Sequence, residues 1–175
     1  MSERSDVGNA AMSERSDVGN AAMSERSDVG DTAMSAQVLL AQVTEAVLSV
    51  AEHEALVADA AAGAVVSFAG IVRDHDDGRG VRALEYSAHP TATALVAEVA
   101  TDVAARASGV RALAVSHRVG PLAVGDVALA CAVSADHRAQ AFQICALLVD
   151  EVKARIPVWK RQLFDDGTDE WVGSA

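Results

Sequence analysis

The sequence predicts an α+β domain over residues 34–175, preceded by a disordered tail of tandem repeats over residues 1–33. Three observations lead there. The first 33 residues are three near-identical blocks, MSERSDVGNAA, MSERSDVGNAA and MSERSDVGDTA. Beyond them, two long Ala/Val/Leu segments carry helical periodicity. Between those segments lie short β-branched runs punctuated by Gly, Pro and Asp. Each repeat offers one Val and one Met against Ser, Glu, Arg, Asp, Gly and Asn, too little apolar surface to offset the entropy of ordering it. The block reads as a duplicated leader, with Met34 near an ancestral start.

The elements of the domain follow in order. Gln37–Val43 is a first strand. Ser49 caps a short helix through Glu52, Glu54, Leu56 and Val57. Gly63–Val72 is an apolar buried strand, and the turn cluster Asp76-Asp77-Gly78-Arg79-Gly80 returns Val81–Ser87 as its hairpin partner. Pro90 opens a helix that Ser108-Gly109 ends. Val110–Val119 is a strand, Val119-Gly120-Pro121 a turn, and Val127–Val133 another strand. Ser134–Asp136 supplies an N-cap for a helix to about Arg155, with Phe142, Cys145/Ala146, Val149 and Val152 facing inward. Pro157 stops it, because the residue before a proline is pushed out of the α region. Val158–Phe164 and Glu170–Gly173 are closing strands.

Composition removes several function classes. A net charge of −11 argues against nucleic acid, which needs a basic face. No apolar run reaches membrane-spanning length and no signal peptide is visible, so a cytoplasmic protein is expected. Cys131 and Cys145 form no framework or metal motif and read as buried small hydrophobes in a reducing compartment. His53, His75, His89 and His117 show no metal spacing and read as structural or surface residues, and no cofactor is expected.

Positive charge is distributed unevenly by type. Twelve of the fourteen basic residues are Arg; the two Lys, Lys153 and Lys160, share the window Lys153-Ala-Arg-Ile-Pro-Val-Trp-Lys160-Arg161. Only Lys can shed its proton on desolvation and act as a base or amine nucleophile. Lys153, four residues after Val149, is expected on the apolar side of its helix and partly desolvated. Each residue has a simpler reading when taken singly: Lys153 as a last-turn cation on the helix dipole, Lys160 as an edge-strand lysine. His137 and Arg138 stand in the first turn of the same helix, where free N–H groups favour an anion, with Asp136 as an internal alternative. Arg73 ends a strand beside a Gly-rich loop, where it binds an anion or pairs with Asp74, Asp76 or Asp77. Sixteen helical residues separate His137 from Lys153, roughly 24 Å at the standard rise, so a small-molecule site using both has to lie between two subunits.

Five motifs then occur in order: Gly63-Ala-Val-Val-Ser-Phe-Ala-Gly-Ile-Val-Arg73, Leu84-Glu85-Tyr86, His117-Arg118-Val119-Gly120, Asp136-His137-Arg138, and Lys153-Ala-Arg-Ile-Pro-Val-Trp-Lys160. Together they resemble the large, catalytic subunit family of molybdopterin synthase, over roughly residues 37–173. The resemblance implies an α/β hammerhead-type fold with an additional small antiparallel sheet, and a homodimer that binds a small ubiquitin-like subunit at each end, a heterotetramer. The small subunit brings sulfur as a C-terminal Gly-Gly thiocarboxylate, and the substrate is cyclic pyranopterin monophosphate. By the same resemblance Lys153 is the main catalytic residue and Lys160 assists it. Arg73, with His137 and Arg138 from the other subunit, binds the pterin and its phosphate; Lys160 and Arg161 join the substrate-binding set. Phe68 and Val149 line the pocket. The chain departs from the family at Ile71, where many members have Lys, at Asp136, where a small residue is common, and beyond Trp171, where an arginine is missing. Two other readings are a Schiff-base lysine enzyme on a phosphorylated carbonyl compound and a non-catalytic subunit that binds a ubiquitin-like partner.

Overall fold

The computed structural model describes residues 35–173, so the repeat segment read as a disordered tail lies outside the described residues. The elements are β1 (Gln37–Thr44), α1 (Val50–Val57), β2 (Ala64–Ile71), β3 (His75–Asp76), β4 (Arg79–Ala88), α2 (Ala92–Arg106), β5 (Val110–Arg118), β6 (Gly120–Ala123), β7 (Val127–Ala135), α3 (Arg138–Arg155), β8 (Val158–Phe164) and β9 (Asp169–Gly173). The α+β class is therefore as expected. A four-stranded mixed sheet has the order β1-β5-β7-β2, with β1 parallel to β5 and the other pairs antiparallel. A second, antiparallel sheet has the order β3-β4-β8-β9, with β6 also paired to β4.

Strands β5 and β7 are central and covered on both faces, and they are correspondingly rich in Ala, Val and Cys rather than alternating with polar residues. On one face Leu113, Val115, Leu129, Cys131 and Val133 join the main core with Val96, Val99, Leu148 and Val152 of α2 and α3. On the other, Val57 of α1 packs on Ala112, Ala114 and Ala132. Alanine there leaves room for a short helix to lie close to the strands. Ser49 caps α1 as expected, its hydroxyl accepting from the Glu52 N–H at 3.2 Å.

Five expectations need correction. Gly63–Val72 is not a buried strand: β2 is at the edge of the first sheet and its residues are intermediate or exposed. Val81–Ser87 does not pair with the Gly63–Val72 strand: β4 makes only a two-residue hairpin with β3 and otherwise pairs with β6 and β8. Its apolar residues Val81, Leu84 and Tyr86 are needed to close the second sheet over the core, a non-local pairing that turn chemistry does not encode. The expected turn at Val119-Gly120-Pro121 is instead the start of β6, an edge strand, where proline costs no ladder hydrogen bond. Helix α3 begins later than expected, with His137 as its N-cap residue and no side-chain cap, because the Asp136 carboxylate accepts from Arg111 Nε at 2.6 Å. Finally, its buried stripe is Ala141, Ile144, Cys145, Leu148, Val149 and Val152. Phe142, one residue off that stripe, is 63% exposed.

Both cysteines are buried and unpaired with each other, and burial raises both thiols, Cys145 to about 11. Among the described residues no helix is long and apolar enough to cross a membrane, and no three His, Cys, Asp or Glu side chains cluster as metal ligands.

Candidate active site

Pro157 ends α3 and turns the chain into β8 within one residue; the C-cap Ile156 is already extended, with φ −81° and ψ 134°. That reversal puts Lys153, in the last turn of α3, and Lys160, in the third position of β8, on the same cavity. Arg73, just past the end of β2, reaches it from a third segment. The cavity is about 150 Å³ and is completed by Asp76, Tyr86 and Gln162 among others. Ile71 also lines it, half exposed, an uncharged side chain where the resemblance leads one to expect Lys.

Alternation along β8 decides which side chains enter. Val158, Lys160, Gln162 and Phe164 are turned toward the interior, while Trp159, Arg161 and Leu163 are turned away. Lys160 lies opposite Tyr86 in the central pairing of β4 with β8 and is only 20% exposed, so it is not an edge-strand lysine. Arg161 lies outside the cavity: its guanidinium pairs with Asp169 at 2.8 Å and Glu85 at 3.6 Å on the other face of the sheet. Lys153 is exposed, at the rim of the α3 apolar stripe, which corrects the expectation of a desolvated amine. It also stands in the last turn of α3, where its charge complements the helix dipole.

One carboxylate ties the cavity together. Asp76 Oδ1 accepts from Arg73 Nη2 at 2.9 Å, and Asp76 Oδ2 accepts from Gln162 Nε2 at 2.6 Å and lies 3.4 Å from Lys160 Nζ. The Gln162 amide, followed by the Lys160 ammonium, holds the Asp76 carboxyl below its usual range. Burial raises the Tyr86 phenol. The ring of Tyr86 meets His117 edge to face, centroids 5.1 Å apart. His117 is buried; its Nδ1 donates to the Arg118 carbonyl at 2.9 Å, which fixes the tautomer because a carbonyl can only accept. Burial pushes its pKa down to about 4, and the nearby Lys153 charge adds to the shift.

Phe68 and Val149 do not line this polar cavity. They border a separate apolar groove of about 330 Å³ between β2 and α3, with Val66, Phe142, Cys145 and Ala146. Val149 and Lys153 are one helical turn apart, so groove and cavity are neighbours along α3. His137 and Arg138 are exposed at the far end of α3 and are not brought to the cavity within one chain.

Asp76, Gln162, Tyr86 and His117 were not picked out from sequence as site residues. Gln162 had a usable signal: a polar residue at an inward position of β8, between Lys160 and Phe164. Asp76 reads as a turn residue, and only the β4–β8 pairing brings it to the lysine.

A family model described as MoaE protein matches residues 43–155. The molybdopterin synthase catalytic subunit of a Nostoc species is 37% identical over 131 residues, 74% of this chain and 79% of that protein. Molybdopterin synthase catalytic subunit 1 of Mycobacterium tuberculosis is 38% identical over 136 residues, covering 75% and 89%. The crystal structure of molybdopterin synthase from Staphylococcus aureus superposes with a TM-score of 0.70 at 28% identity, over 76% of this chain and 96% of that one. With a family match across most of the folded domain and relatives this similar along it, the chain belongs to the MoaE protein family.

Proposed function

We propose that this chain is the catalytic subunit of a molybdopterin synthase, a sulfurtransferase that converts cyclic pyranopterin monophosphate to molybdopterin. Its sulfur comes from the C-terminal thiocarboxylate of a small ubiquitin-like subunit. The observation that carries the reading is the convergence of Arg73, Lys153 and Lys160, from three separated segments, on one cavity beside an apolar groove. A thiocarboxylate and a cyclic phosphate are both anions, and a wall of Arg and Lys neutralises them together. Lys153, accessible at the end of α3, is the group that acts at the thioacyl carbon. Lys160, held by the sheet and by Asp76, assists it and binds substrate. The apolar groove at Phe68 and Val149 receives the tail of the small subunit.

His137 and Arg138 are assigned to a second subunit's site. The length of α3, roughly 24 Å between His137 and Lys153, separates them in one chain, and both are exposed and available across a dimer interface. Arg161, engaged by Asp169 and Glu85, contributes to substrate binding only if those pairs rearrange. The hammerhead-type description of the fold and the heterotetramer belong to the same reading.

The test is reconstitution from purified protein, thiocarboxylated small subunit and pyranopterin precursor. Wild type is expected to form molybdopterin, and Lys153→Ala to lose at least ~100-fold in rate, the usual scale for removing a proton-transfer or nucleophilic group. No product from wild type, or equal yield from Lys153→Ala, would reject the reading.

A further inference from the structure

We propose that Asp76 is an internal counter-ion that competes with the ligand: its carboxylate bridges Arg73 and Lys160, and an oxyanion entering the cavity takes over those same donors. Asp76 thereby sets how much negative charge the cavity accepts. The inference rests on reading this cavity as an anion site.

The geometry is specific to this carboxylate. Both oxygens are used, Oδ1 by Arg73 and Oδ2 by Gln162 and Lys160. Neighbouring acids do not share the position. Asp74 pairs with His75, and Asp77 forms the hairpin turn with positive φ of 47°, followed by Gly78 at 79°. That tight turn fixes Asp76 opposite Arg79 in the β3–β4 hairpin. From there its side chain reaches the inward face of β8, where Gln162 is 4% exposed and donates to it. The ion pairs are the exchangeable part of the arrangement. Arg73 is 65% exposed, so its guanidinium can turn from Asp76 to a ligand without leaving water. The Gln162 hydrogen bond needs an acceptor oxygen but no charge. Replacing Asp76 by Asn keeps the side-chain shape and one acceptor oxygen for Gln162, removes the charge, and puts an amide N–H, which cannot accept, where Arg73 now finds the second oxygen.

The ligand chemistry is an oxyanion, either a phosphate or the carboxylate end of a peptide. The experiment titrates two probes, inorganic phosphate and a short peptide ending in Gly-Gly carboxylate, into full-length wild type and Asp76→Asn, followed by calorimetry or NMR. At low salt, at least one probe is expected to bind roughly fivefold tighter to the variant, the scale of one partly exposed charge pair. The gain is expected to shrink at about 0.5 M salt, where screening acts within a few ångströms. If phosphate responds, KM for the pterin falls more than kcat changes. If the peptide responds, the small subunit binds tighter instead. Equal or weaker binding of both probes to a folded Asp76→Asn protein overturns the proposal and makes Asp76 a structural tie. Should the Asn variant melt early, Asp76→Ser serves for the same comparison. Failure of wild type to make molybdopterin would count against the sulfur-transfer reading alone, since probe binding is measured without turnover.

Discussion

Replacing His117 by Phe should flatten the acid limb of this protein's stability profile. His117 is 2% exposed, with its Nδ1–H committed to the Arg118 carbonyl and its ring against Tyr86. Burial lowers its pKa from 6.5 to about 4. The native state therefore refuses a proton that the unfolded chain accepts below about pH 6.5. The sign follows: the stability tied to the neutral ring is fully present above pH 6.5 and is lost as pH falls toward 4. Linkage across that window gives a loss of about 2 kcal/mol between pH 7 and pH 5, and about 3 kcal/mol by pH 4. Phe keeps an aromatic ring beside Tyr86 and removes the titration. It also removes one hydrogen bond, an offset of about 1 kcal/mol that does not vary with pH. The assay is urea unfolding of wild type and His117→Phe at pH 7, 6, 5 and 4.5, with the difference in unfolding free energy plotted against pH. Carboxylates common to both proteins cancel in that difference. Wild type should be the more stable at pH 7, and its advantage should shrink and reverse as pH falls. A difference that stays flat from pH 7 to 4.5 would show that His117 is protonated in the fold, and would refute the argument from burial.

Two further outcomes follow from the site. Co-expressed Lys153→Ala and Arg138→Ala chains, each inactive as homodimers, should recover up to about half of the activity per mixed dimer, because one site regains both groups; no recovery in purified mixed dimers rules out the shared site. Phe142→Ser should weaken binding of the small subunit about tenfold, the equivalent of ~1.4 kcal/mol of lost apolar burial. Phe142 is 63% exposed in the chain alone, so the melting temperature should hardly move; unchanged affinity in calorimetry would remove the groove from the docking surface.

Local elements were readable because local rules govern them. The Ser49 cap, the Pro157 stop and the apolar runs of β2, β5 and β7 each follow from a few adjacent residues. The errors fell where partners are distant. The true partner of β4 is hidden from the sequence because pairing with β8 spans some 75 residues of chain that no turn signal reports. Periodicity alone points Phe142 inward because it tolerates a shift of one residue, whereas packing against β2 and β7 does not.

The same division runs through the site. From sequence came the family, the two lysines and the arginine, since residue type and order survive without coordinates. So did the argument for two subunits, which needs only the rise of an α-helix between His137 and Lys153. Tertiary structure decided which of these side chains meet. It joined Arg73 and Lys160 through Asp76, turned Arg161 to the opposite face, separated Phe68 and Val149 into a groove of their own, and buried His117 behind Tyr86. The reason is physical: side-chain direction in a strand depends on register, and register is set by a partner strand far along the chain.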